Sequence, residues 1–203
     1  FNDNPEDKPK LVHRLDKDTS GVLLVAKTRA MAEALGRMFK QREIAKTYVA
    51  ICMDTPRTHE DTIRLPLLRT TERVVVDREQ GKPAVTHYRT LSFSGREVSF
   101  VALRPQTGRM HQLRVHLAHI KCPILGDQKY GGVVSDGRLA AASAERLWLH
   151  ALALHFRHPV TGKNLSLFAP IPQPMRDHLE AWNMAVPTLT DTDKPVDPME
   201  ESV

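Results

Sequence analysis

Two apolar runs, Leu11–Val12 and Val22 to Ala26, flank nine consecutive residues, His13 to Gly21, that are almost all polar. The runs have strand composition, but a simple hairpin turn needs no such alternation of cationic and anionic side chains. Residues 1–9 precede them as an extended lead-in. Thr28 can then cap a helix over 29–41, where Met31, Leu35, Met38 and Phe39 form one apolar stripe. Ile44 to Met53 returns as a strand, 54–61 is a polar loop, and Thr62 to Leu68 is a short strand. The stretch from Glu72 to Phe93 has the pattern of a hairpin turning at Arg78-Glu-Gln-Gly-Lys-Pro83.

Glu97 to Leu103 alternates as a strand, with Val98, Phe100 and Ala102 facing one way. Pro105-Gln-Thr-Gly108 ends it and a helix starts at about Arg109, capped by Thr107, with Met110, Leu113, Leu117 and Ile120 as its buried stripe. The loop Cys122 to Gly132 is rich in glycine, a pattern of close backbone packing. A short helix over 138–145, strands over 147–156 and 164–168, and a helix from Pro174 to Trp182 complete the pattern. Seven or more strands with mostly antiparallel connections, against few helices, predict an α+β fold rather than a doubly wound parallel sheet.

Composition narrows the classes without choosing among them. The 203 residues suffice for one core, 41% are hydrophobic, and no apolar run approaches the roughly 18 residues of a membrane span. Cys52 and Cys122 have no short-spaced partner, the usage of a reducing compartment, so a cytoplasmic protein is expected. Net charge is +5 and uneven. From Val186 onward five acids face one lysine, which leaves 28 bases against 19 acids in the body. No acid lies between Glu97 and Asp127, a stretch that includes Arg104, Arg109, Arg114 and Lys121. Such a field suits a polyanionic partner. Residues 186–203, acidic and without aromatics, are expected to form a disordered tail behind a domain over 1–185.

Asp16 is the first candidate for chemistry. It could cap its own turn, or, in cationic company, stay ionised as a nucleophile or charge stabiliser. Arg14 could neutralise it or hold phosphate. Ser20 has no Gly-x-Ser-x-Gly elbow and no evident histidine base. Thr107 and the amides of residues 108–110 would make an anion site beside Arg109. Arg114 lies at the core boundary, where an arginine usually meets a carboxylate. His116 and His119 share a helical face with His111 nearby, but no Cys or Glu completes a metal set, so no metal is expected. Tyr48 could be a core aromatic or stack on a base.

Four segments together carry a resemblance: His13-Arg-Leu-Asp-Lys-Asp-Thr-Ser-Gly21, Lys46-Thr-Tyr48, Arg104-Pro-Gln-Thr-Gly-Arg-Met-His-Gln-Leu-Arg-Val-His116 and Pro123-Ile-Leu-Gly-Asp-Gln-Lys-Tyr130. In order and spacing the chain resembles the RluA-type pseudouridine synthases from about Leu11 to Pro170. The resemblance implies a long, bent, mainly antiparallel sheet with flanking helices and a central cleft. It implies isomerisation of uridine in structured RNA, ribosomal or transfer RNA, without metal or cofactor, and a monomer is expected. Asp16 would be catalytic, Tyr48 would stack on the target uracil and assist proton removal, and Arg114 would pair with Asp16. Arg14, Lys17, Arg109 and His111 would face RNA. The family pattern includes a strand before the first motif and often an S4 domain, so a catalytic domain lacking that strand is expected. An inactive RNA-binding module and a carboxylate hydrolase are the rivals, the second disfavoured because hydrolases commonly use paired acids.

Overall fold

The computed structural model describes residues 8–132, 134 and 137–186. The lead-in over 1–7 and the expected tail beyond Val186 lie outside the described residues. In chain order the elements are β1 (Lys10–Leu11), β2 (Ser20–Gly21), β3 (Val25–Ala26), α1 (Arg29–Gln41), β4 (Ala45–Met53), β5 (Glu60–Arg64), β6 (Leu67–Arg69), β7 (Val74–Val76), β8 (Val85–Ser94), β9 (Val98–Pro105), α2 (Gln112–His119), α3 (Gly137–Glu145), β10 (Leu149–Arg157), β11 (Asn164–Phe168) and α4 (Gln173–Ala181).

A central sheet runs β11-β10-β4-β9-β8-β5, antiparallel throughout, and β2 joins β10 in a short parallel pairing. This is the mixed α+β architecture expected from the strand spacing. At its centre, successive side chains of β4 enter different cores. Val49 and Ile51 pack with Phe100, Leu152, Met175 and Leu179 beneath α3 and α4, whereas Ala50 and Cys52 pack with Val101, Leu103, Leu113 and Leu117 beneath α2. β9 is likewise buried on both faces, so the one-sided alternation expected of it does not hold. Helix α1 covers the β10–β11 end through Leu35 and Met38 against Leu154 and Phe156. Thr28 caps it as its sequence predicts, its hydroxyl accepting the Met31 N–H. Among the described residues no helix is long and apolar enough to cross a membrane.

Four local expectations need correction. The hairpin expected over 72–93 does not form: β7 pairs with β6, while β8 pairs with β5 and β9. Pro66 has no N–H to donate and interrupts the strand expected over Thr62–Leu68. The chain then folds back at once through a turn whose ends Thr70 ties to Arg73. Pairing so close along the chain closes a smaller loop than pairing with β8 would. Of the apolar run Val22 to Ala26 only Val25–Ala26 forms a strand, paired with β1, while the pairing with β10 falls just before the run, at Ser20–Gly21. Finally, α2 starts at Gln112, three residues late. The Gln112 side chain captures the preceding loop, accepting from the Thr107 hydroxyl and the Arg109 N–H and donating to Val85 O and Thr86 Oγ1. Thr107 is therefore no cap, the anion site expected behind it is not built, and Met110 is 42% exposed instead of buried.

Candidate active site

The polar nine-residue segment His13–Gly21, which follows β1 and ends in β2, is fastened at both ends. At its start the His13 ring stacks on Phe39 with centroids 4.5 Å apart, and its Nε2 accepts the Leu24 N–H at 2.8 Å. Burial, with the nearby Lys46 charge, lowers the pKa of His13 and keeps the ring a neutral acceptor. At its end, Val22 N–H donates to Ala151 O and the Ser20 hydroxyl lies 2.9 Å from His150 Nδ1. Gly21 has φ +122°, and a Cβ there would stand 2.2 Å from Ala151 O, so the approach to β10 requires glycine. Between these anchors the Thr19 N–H donates to Asp16 O and Asp18 takes a left-handed conformation. The turn holds Asp16 half-buried at the loop's inner side.

Asp16 opens into a cleft of about 620 Å³ lined by this loop, by Lys46 and Tyr48 of β4, and by residues 107–113 before and at the start of α2. It is the one carboxylate among the lining residues, which also include Arg14, Lys17, Lys40, Lys46 and Arg109. Arg14 and Lys17 are exposed at the rim. Arg109 is steadied by donating from Nε to Pro83 O. Tyr48 stands on the strand next to β10, and burial, reinforced by the Asp16 charge, pushes its hydroxyl up to about 12. His111, at the left-handed residue preceding α2, also lines the cleft and feels the Asp16 charge.

Arg114 departs from expectation. Its guanidinium does not hydrogen-bond Asp16. Nε and Nη2 donate to the two carboxylate oxygens of Asp127 at 2.7 and 2.6 Å, in the forked geometry that suits arginine. Burial works against that charge, but the Asp127 hydrogen bonds and the charges of Asp127 and Asp16 outweigh it and leave the pKa raised. Arg114 also lies over the Tyr130 ring, 5.1 Å from its centroid. Asp16 therefore acts on Arg114 through space, and a second carboxylate fixes where that cation sits.

Asp127 and Tyr130 received no role from the sequence, although both lie in its fourth recognisable segment. The available signal was the Gly126-Asp-x-x-Tyr spacing, because Asp127 caps its own turn by accepting from the Lys129 and Tyr130 N–H groups. Gly126 meets the close-packing expectation for this loop, with a Cβ position 1.8 Å from Arg146 O. His150 was also unforeseen as a partner of Ser20. Its Nε2 faces Ala169 O at 3.2 Å rather than a carboxylate, and it is 3% exposed and outside the cleft, so the pair fastens β2 to β10. His116 is a satisfied core histidine between Thr86 Oγ1 and Leu65 O.

The family model described as RNA pseudouridylate synthase matches residues 2–119, which contain the Asp16 loop, Tyr48 and Arg114. The chain belongs to this family. Among solved structures, a pseudouridine synthase fold is shared with human RNA pseudouridylate synthase domain containing 4, at TM-score 0.77 and 31% identity over 89% of this chain and 78% of that one. The human domain containing 1 protein is similar at TM-score 0.72 and 29% identity, over 90% and 78%. Among curated relatives, ribosomal large subunit pseudouridine synthase C of Yersinia pestis is 39% identical over 176 residues, 85% of this chain and 55% of the relative. Synthase D of Vibrio cholerae is 41% identical over 177 residues, 81% and 53%. The chain spans about half the length of the curated relatives it matches.

Proposed function

We propose that this chain is the catalytic domain of an RNA pseudouridine synthase that converts uridine to pseudouridine in large-subunit ribosomal RNA. The observation that carries the proposal is the placement of Asp16 as the one carboxylate in a cleft lined by cationic side chains, with its charge felt by Tyr48, His111 and Arg114. Family membership and the names of the relatives support the reaction and the RNA class. The proposed domain covers residues 1–185, with 186–203 as a tail. It works in the cytoplasm as a monomer, and transfer RNA is the second substrate class to test.

Isomerisation moves the link to ribose from N1 to C5 of uracil without net gain or loss of atoms: the C1′–N1 bond breaks, a C1′–C5 bond forms, and the C5 proton is exchanged for one at N1. Arg14, Lys17 and Arg109 meet phosphates around a uridine turned out of its stack, contributing affinity without reading sequence. Asp16 then acts on the ribose, by attack at the anomeric carbon or by removal of the 2′ proton. Tyr48, uncharged at working pH, confines the plane of the detached ring. Arg114, anchored by Asp127, supplies a fixed positive charge that interacts with the Asp16 charge through space.

The test is incubation with an unmodified transcript of large-subunit ribosomal RNA, followed by chemical mapping of pseudouridine. Asp16→Asn should lower turnover by at least about 10⁴-fold while leaving RNA affinity within a few-fold. Binding without conversion by the wild-type chain would favour a non-catalytic RNA-binding module, and released uracil would favour a hydrolase.

A further inference from the structure

The Tyr130 hydroxyl has two polar neighbours, and between them they assign its proton. Val74 N–H lies 3.0 Å from the phenolic oxygen, and a backbone amide can only donate. His111 Nδ1 lies 2.8 Å away and could either donate or accept. Were Nδ1 protonated, the oxygen would accept from both sides and its own proton would have no partner among the described residues. A partly buried donor left unused is unfavourable. The hydroxyl therefore donates to Nδ1, and neutral His111 carries its proton on Nε2.

The ring is also held in place. His111 has φ +52°, and it meets Tyr130 edge-on with centroids 5.6 Å apart and planes at 73°. Burial, together with the Arg114 and Lys129 charges, outweighs Asp16 and Asp127 and keeps its pKa below the ordinary value. Among the described residues Nε2 has no hydrogen-bond partner, although the ring lines the cleft that contains Asp16.

We propose that Tyr130 is a positioning residue that locks His111 in its Nε2–H tautomer, so that a neutral imidazole donates a hydrogen bond to a ring carbonyl of the turned-out uracil. This rests on the function proposed above. Whichever way Asp16 acts, the C1′–N1 bonding pair leaves with uracil, and the negative charge spreads from N1 onto O2 and O4. A fixed donor at one of those oxygens is worth more to the departing anion than to the neutral base, which is the condition for accelerating the step. His111 keeps its proton throughout. The charge is discharged when C5 bonds to C1′ and the C5 proton is exchanged for one at N1.

The experiment measures ring-nitrogen NMR shifts of isotope-labelled histidine in the full chain, alone and with a short uridine-containing RNA. Wild type should show Nδ1 unprotonated, and RNA should move the Nε2 resonance. Tyr130→Phe keeps the aromatic shelf under Arg114 but should give mixed tautomers, with kcat on the ribosomal transcript down about tenfold and KM within about twofold. His111→Ala should cost about a hundredfold in kcat, and His111→Gln, which retains a donor, should recover part of it. A protonated Nδ1 in wild type, a Tyr130→Phe enzyme with altered tautomer but unchanged kcat, or unaffected His111→Ala turnover would each overturn the proposal. Should Tyr130→Phe not fold, the wild-type shifts and the His111 pair decide. A wild-type chain that makes no pseudouridine would overturn the proposed function, while the tautomer and the RNA-induced shift would still be read directly.

Discussion

Asp127 has no solvent-exposed side-chain surface, and Arg114, its forked partner, is 11% exposed there. Removing one member of such a pair leaves the other charged and buried. Asp127→Ala, which also strips the Lys129 and Tyr130 amides of their acceptor, should destabilise the chain by about 3–5 kcal/mol, measured by urea denaturation. Tyr48 gives a pH signature. Its ordinary value is 10.0, which the unfolded chain retains, and the folded chain holds the proton to about 12. Below pH 10 both states are protonated and nothing changes. Between about 10 and 12 the unfolded state loses the proton first, so stability should fall as pH rises through that window. Comparing urea midpoints of wild type and Tyr48→Phe at the two ends isolates the effect, since the phenylalanine form should lack this part of the loss.

At the scale of single elements, Gly21 is the residue least open to change in the Asp16 loop. Gly21→Ala combines a positive φ with a backbone collision at β10 and should cost roughly 2–5 kcal/mol, again read from urea midpoints. Its activity should fall further than its stability, because the same strand end carries the Asp16 turn. Much of the element order was legible from sequence for simple reasons. The stripe in α1 and the Thr28 cap are local signals, and the structure reproduces 29–41 as anticipated. The partner of β7 was not legible, because Val74–Val76 would suit either neighbour and Pro66 decided the matter. The start of α2 was misplaced for a related reason. Thr107 has the composition of a cap, but its hydroxyl is already engaged by Gln112 and Val85, bonds that depend on β8 lying alongside.

For the whole molecule, the charge excess outside the acidic end should appear in RNA affinity as a salt dependence. Each phosphate neutralised contributes roughly 0.7–0.9 to the slope of log K against log salt. Arg14→Ala should lower that slope by about one and weaken binding to all RNAs alike, in filter-binding measurements across salt concentrations. The cleft itself was partly legible. The segments holding Asp16, Tyr48, Arg109 and His111 stood out in sequence, and the fold brings all four to one cavity. What could not be read was the network behind them. That Arg114 serves Asp127, and that Tyr130 reaches from one loop to both His111 and Val74, follows from tertiary packing of segments 13 to 56 residues apart.

The short parallel pairing of β2 with β10 joins residues 20–21 to residues 150–151, across most of the chain. The loop that carries Asp16 therefore lacks its second anchor until the polypeptide has been synthesised well past Ala151. During translation the nascent domain would hold every cleft-lining residue up to Leu149 and still lack a settled carboxylate. A chain cut short before β10 should therefore leave the Asp16 loop tied only at its His13 end.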